Sequence, residues 1–184
     1  FKNIFAAMSK LSLLTKLSLK FCLNNKLDDQ GLQELSSCIN NLKCLNALLI
    51  SFSWCNATFT EAAFGKFILQ LSGKTKLKSL VLHFPNCFKT VTNGILLKLG
   101  ETLAQIKGLE NFELDISGCS EVTDKGINGI FHKIGAERLE RVSLNFMGCK
   151  EVRVKAIENI MEVMKKLKEL RLVIVKVKSS KELK

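Results

Sequence analysis

The chain has 184 residues, a length suited to one domain with a sizeable core. Apolar residues make up 47% and charged residues 24%, an ordinary globular composition that excludes a disordered or fibrous chain. No apolar run reaches the roughly 18 residues that a membrane-spanning helix needs, and 28 Lys and Arg against 17 Asp and Glu leave a formal charge of +11, which favours an anionic partner or surface.

In chain order, Phe1, Ile4, Phe5 and Met8 fall at helical spacing and predict a helix over 1–10. A recurring segment follows. Its copies open at Leu14, Leu45, Leu77, Leu109, Leu139 and Leu167, with separations of 31, 32, 32, 30 and 28 residues, a period that marks an array of stacked units. After each opening residue, further apolar residues fall three, five and seven positions on, and Cys or Asn falls at ten in the early copies. Alternation of period two predicts a short, half-exposed strand in each copy.

Polar turns follow the strands, with helix-start signals at Asp28, Thr92 and Thr123, whose side chains can cap the first amides of a helix. The helical stretches place apolar residues three and four apart: Leu32, Leu35, Ile39 and Leu42; Phe64, Phe67, Ile68 and Leu71; Leu96, Leu99, Leu103 and Ile106; Ile127, Ile130, Phe131 and Ile134; Ile157, Ile160, Met161 and Met164. Connections this short make each strand parallel to its neighbour, with the helices on one face. The whole of 1–184 reads as one domain. Its partial repeats at both ends lead us to expect a segment of a longer array, or ends that another subunit covers.

The pattern L-x-x-L-x-L followed by Cys or Asn, then V-T-x-x-G-I and a long helix, resembles leucine-rich repeats of the ribonuclease-inhibitor-like class. The stretch from Cys119 to Ile127, CSEVTDKGI, is also similar to the cysteine-containing repeats of F-box proteins. The resemblance covers nearly the whole chain and implies an α/β fold: a right-handed solenoid, bent as a horseshoe arc, with about six inner parallel strands and outer helices. In one respect the chain departs from the class. From the second repeat on, Cys lies ten positions after the first Leu instead of eight, because the strand carries an extra apolar residue (Phe52, Phe84, Ile116, Phe146). Longer strands of this kind look like protist arrays, some of which belong to ciliary axoneme proteins.

If the residues at three, five and seven point inward, those at two, four and six line a concave face. That face carries Lys16, Lys20, Leu49, Val81, His83, Glu113, Asp115, Arg141, Asn145 and Arg171, with Glu169 and Val173 on the last strand. Leu49 and Val81 form an apolar spot that a partner can anchor on. His83 and Asp115 are expected as neighbours in one row, and Glu113 and Arg141 on adjoining strands. The face is mixed in sign, so the acidic concave surface of the inhibitors that name the class is not carried over.

From Lys165 to Lys184 eight basic residues meet two acidic ones, placing +6 of the +11 in 20 residues. Lys165, Lys166, Lys168, Lys176 and Lys178 form the core of this basic end. Lys176 and Lys178 also suit the guarding of an edge strand, Val173 to Val177. The tail holds no aromatic residue for base stacking, which leaves nucleic acid a minor reading.

The ladder Cys55, Cys87, Cys119 and Cys149 recurs once per repeat, which spreads its thiols along a line; a zinc site needs four ligands converging on one ion. No metal or cofactor is expected. Seven reduced thiols favour a cytoplasmic setting, the resemblance adds a cytoskeletal or ciliary one, and Asn56-Ala57-Thr58 is read as a chance glycosylation match. His83 with Cys87 is set aside as a catalytic pair because alternation turns one outward and the other inward, and His132 is read as a helical surface residue. The glycines at 31, 94 and 126 belong to repeat turns rather than a phosphate loop. The expected function is a non-catalytic protein-binding module within a larger assembly, using the concave strands and the basic end. Two alternatives stand beside it: docking on polyanions such as acidic tubulin tails or RNA, and a substrate-receptor role in ubiquitin transfer.

Overall fold

Apolar residues at every second position give each strand one side that must leave water, and the sheet follows from that. The computed structural model describes residues 1–22, 27–54, 59–132 and 138–177. Cys55, the Asn56-Ala57-Thr58 motif, Ile134 and the tail from Lys178 lie outside the described residues, as do the side chains of Cys22 and His132. The elements run α1 (Lys2–Met8), β1 (Lys16–Cys22), α2 (Asp29–Asn41), β2 (Ala47–Ser53), α3 (Glu61–Gln70), β3 (Ser79–His83), α4 (Asn93–Gln105), β4 (Asn111–Asp115), α5 (Asp124–His132), β5 (Arg141–Asn145), α6 (Val154–Met164) and β6 (Leu172–Lys176). A short 3-10 turn, Leu71–Gly73, extends α3.

All six strands form one parallel sheet in chain order, and the helices pack on one another in the same order. The fold is α/β. Leu48, Ile50 and Phe52 are buried, as are Leu80, Leu82 and Phe84, then Phe112, Leu114 and Ile116, then Val142, Leu144 and Phe146. Residues between them, such as Leu49, Val81, His83, Glu113, Asp115 and Asn145, stay partly open. Against the buried side lie the inner faces of the helices, among them Leu32, Leu35 and Ile39 of α2 and Ile95, Leu96, Leu99 and Leu103 of α4. Each such side chain contributes about 1.5–3 kcal/mol by leaving water. Of the apolar face expected on α6, Ile160 and Met164 are buried, Ile157 is half-buried and Met161 is exposed.

Phenylalanine rings link successive strands. Phe21 meets Phe52 at 5.3 Å between centroids, and Phe52 meets Phe84 at 5.8 Å. Phe1 and Phe5 of the first helix extend the row onto Phe21.

Two side-chain ladders tie successive units together. At the end of the strands, Cys87 Sγ donates to the carbonyl of Phe52 at 2.8 Å, Cys119 Sγ to that of Phe84 at 3.3 Å, and Cys149 Sγ to that of Ile116 at 3.1 Å. Just before these cysteines, Asn86, Gly118 and Gly148 adopt left-handed backbone with φ of 58°, 73° and 77°, and Trp54 before Cys55 does the same at 59°. At the helix starts, the first helical residue accepts hydrogen bonds from the residue that opens the next helix. Asp29 takes the Thr60 amide and hydroxyl, Glu61 the Thr92 hydroxyl, Asn93 the Thr123 amide, and Asp124 the Arg153 amide and guanidinium. The same Thr60 and Thr92 oxygens accept from Ala63 and Ile95 and so cap their own helices. Arg153 makes no such cap, and Val154 after it carries no acceptor side chain.

The sixth strand corrects the expected frame. Its opening residue is Leu170 rather than Leu167, because the Leu170 amide donates to the Leu167 carbonyl just as Leu109 donates to Ile106 and Leu45 to Leu42. A shift of three residues is odd, so it exchanges the two sides of the strand. Leu172, Ile174 and Lys176 pair with Arg141, Ser143 and Asn145 and occupy the side expected for Glu169, Arg171 and Val173. Arg171 precedes the strand, its amide held by the Glu140 carbonyl at 2.8 Å.

Candidate functional site

The open side of the sheet is the candidate site, because parallel registry lines its side chains up in rows about 4.7–4.9 Å apart. The first row runs Lys16, Ala47, Ser79, Asn111, Arg141, Leu172; the second Ser18, Leu49, Val81, Glu113, Ser143, Ile174; the third Lys20, Ser51, His83, Asp115, Asn145, Lys176. Leu49 and Val81 are direct lateral neighbours. Together with Lys16, Ser18, Ala47 and Ser79 they line a shallow cavity of about 270 Å³.

Beside the apolar pair lies a polar cluster. His83 and Asp115 are partners in register, yet the His83 ring nitrogen Nε2 lies 2.9 Å from Glu113 Oε1, the diagonal neighbour. Asp115 is engaged elsewhere. Its Oδ2 accepts from Asn145 Nδ2 at 3.0 Å and its Oδ1 from the Ser117 amide at 2.9 Å. Asn145 repeats that turn one strand on, accepting from the Met147 amide. Asp115 and Asn145 therefore shape the strand ends as well as the face, while Glu113 keeps 45% of its side chain open. Arg141 lies on the strand adjoining that of Glu113, in register with Asn111.

Exposed Lys16 and Lys20 flank the apolar pair on the β1 side, and carboxylates flank it on the β4 side. The basic end is split: exposed Lys165, Lys166 and Lys168 occupy the turn after α6, with Lys165 paired to Glu162 at 2.6 Å, whereas Lys176 sits on the open face.

Sequence reasoning missed four notable residues, two on this face and two elsewhere. Leu172 and Ile174, 46% and 41% exposed, put apolar side chains on the last strand; the misplaced frame hid them. Trp54, the one tryptophan, is exposed at the end of β2 in left-handed backbone, and its uniqueness was the available signal. Lys74 is 6% exposed, with Nζ donating to the carbonyls of Asn40 at 3.2 Å and Leu42 at 3.0 Å at the end of α2. Burial and then the neighbouring Lys43 charge hold its ammonium below the ordinary lysine range.

Burial favours the protonated thiol at Cys119 and Cys149, pushing Cys119 far up and Cys149 up to about 11. Among the described residues no group of three or more His, Cys, Asp or Glu converges to hold a metal ion. No helix among them is long and apolar enough to cross a membrane. No protein-family model and no curated protein matches the chain.

Proposed function

We propose that the chain is a right-handed solenoid of leucine-rich-repeat type and works as a non-catalytic protein-binding module in a cytoplasmic assembly. The observation that carries this reading is the Leu49–Val81 pair, held side by side on the open sheet face between lysines and carboxylates. An apolar centre with a polar rim is the anatomy of a contact that excludes water at its middle and sets orientation at its edge. Stacked units also give each strand a fixed neighbour, so the face is rigid before a partner arrives.

The test is cross-linking and mass spectrometry on the native source with the wild-type chain and with Leu49→Asp/Val81→Asp. Both side chains point away from the core, so the double variant is expected to fold. Loss of the same neighbours that the wild type captures supports the reading. An unchanged set of neighbours rejects the face as the contact.

A second reading is docking on a polyanion, favoured by the exposed lysines Lys16, Lys20, Lys165, Lys166 and Lys168. Salt separates the two: charge-driven binding weakens steeply with ionic strength, and a contact centred on Leu49 and Val81 changes little.

A further inference from the structure

The turns that lead from each helix into the next strand form one edge of the molecule. Lys43, Lys76, Lys107, Arg138 and Lys168 stand on that edge, all exposed. They precede the strand-opening residues Leu45, Leu77, Leu109, Leu139 and Leu170 by one or two positions, so each successive unit from the second contributes one cation at nearly the same place. The turns around four of them share one hydrogen bond, from Leu45, Leu77, Leu109 and Leu170 to the residue three before. Among the described residues these five cations make no hydrogen bond or ion pair. Among the described residues, the acidic ones on this edge are Glu110, which Lys78 holds at 2.8 Å, with Glu140 and Glu169. The opposite edge differs: there Asp29, Glu61 and Asp124 are occupied by the helix-start ladder.

Between the second and third units the cationic edge opens into a cleft of about 780 Å³, lined by Lys43, Gln70, Ser72, Lys74, Thr75 and Lys76. Lys74 spends two of its three ammonium donors on carbonyls, and one remains. Helix C-termini favour a nearby cation, and Lys74 already meets that need for α2. At the end of α2 the exposed Lys43 is therefore not needed for that role.

We propose that this edge is a docking rail for an acidic polypeptide segment, with one of its carboxylates seated in the cleft between Lys43 and Lys76. Two observations select a polypeptide. The turns, residues 40–46, 70–78, 104–110, 138–140 and 165–171, contain no aromatic side chain, so bases would find no stacking platform. The edge also lies between the sheet, where layers are about 4.8 Å apart, and the helices, about 8–10 Å apart. Alternate side chains of an extended chain repeat at about 6.6 Å, which matches cations set between those limits. The proposal takes the binding-module reading as its starting point but uses a different surface from the open face.

The test is fluorescence anisotropy of residues 1–184 with a labelled oligoglutamate of about 20 residues, and with oligo-dT of the same length. Lys43→Gln/Lys76→Gln/Lys107→Gln is expected to weaken oligoglutamate binding about tenfold at low salt and to flatten its salt dependence, while Lys16→Gln/Lys20→Gln on the open face changes it by less than about twofold. Leu49→Asp/Val81→Asp leaves oligoglutamate binding intact, so failure of the open-face reading and failure of this one are told apart. Unchanged affinity in the triple variant, an equal loss in the Lys16/Lys20 variant, or tighter binding of oligo-dT than of oligoglutamate overturns the proposal.

Discussion

The thiol of Cys119 donates to the carbonyl oxygen of Phe84, one strand back in the sheet, at 3.3 Å. Its neighbours Cys87 and Cys149 make the same bond one unit earlier and one later, so the ladder gives a side-chain donor to carbonyls at the ends of the strands, of which that of Ile116 also accepts from the Cys119 amide. Cys119→Val keeps the volume and removes the donor; it is expected to cost about 1–3 kcal/mol in urea denaturation, with Cys119→Ser milder because a donor remains.

The same thiols give the fold an alkaline limit. Burial raises Cys149 from the ordinary 9.0 to about 11 and raises Cys119 further. In the unfolded chain these groups ionise near 9 while the folded ones stay protonated, so their contribution is complete below pH 9 and is lost as pH rises above it. Stability is expected to fall by roughly 1.4 kcal/mol per pH unit for each such thiol between pH 9 and 11. A urea-midpoint series over that range checks it, and the Cys149→Ala background is expected to show a shallower fall.

Left-handed backbone before each ladder cysteine makes opposite predictions at two positions. At Gly118 a Cβ would run into the Asn86 side chain, and φ is +73°. Gly118→Ala is expected to lose about 2 kcal/mol. Trp54 holds the same conformation without glycine's freedom, so Trp54→Gly is expected to be neutral or to stabilise by up to about 1 kcal/mol. Paired thermal melts decide both.

Helix α6 starts at Arg153, whose side chain reaches Asp124 instead of capping. A threonine there can do both jobs, as Thr60 does for α3. Arg153→Thr is expected to raise stability by about 0.5–1 kcal/mol, since the guanidinium lost is largely exposed and the new hydroxyl can still donate to the mostly buried Asp124 carboxylate. Thr60→Val, which removes the cap and the hydroxyl half of the clasp while the amide bond to Asp29 stays, is expected to cost about 1–2 kcal/mol. Denaturant midpoints of the two variants measure the contrast.

Helices α4 and α5 approach closely where a Cβ on Gly100 would overlap the Gly129 carbonyl. Backbone on both sides cannot yield as a flexible side chain can. Gly100→Ala is expected to destabilise by about 1–3 kcal/mol through overpacking, and hydrogen exchange in α4 and α5 localises the effect.

The first five strands were legible because their apolar residues alternate, and in β3 to β5 burial follows: Leu82, Leu114 and Leu144 lie inside while His83, Asp115 and Asn145 stay partly open, although Ser51 of β2 is buried as well. The sixth was not, and the reason is specific. Leu167, Leu170, Leu172 and Ile174 fit the spacing of three, five and seven, but so do Leu170, Val173, Val175 and Val177. A continuous apolar run carries no period to choose between them; the turn at the end of α6 makes the choice. Lateral partners were legible as rows, but not the diagonal from His83 to Glu113, because Asp115 is drawn to Ser117 and Asn145. The helix-start ladder stayed hidden since its members lie about one unit apart in sequence and carry three different kinds of side chain, at Asp29, Glu61, Asn93 and Asp124.

The row of phenyl rings from Phe1 through Phe5, Phe21 and Phe52 to Phe84 stops at Ile116. Each ring pair adds about 0.5–1.5 kcal/mol beyond its buried area, so cohesion is graded along the stack. Under tension applied to its two termini, the molecule would peel from the β6 end and stall on reaching β3, which would make the first half a clamp and the second half a spring.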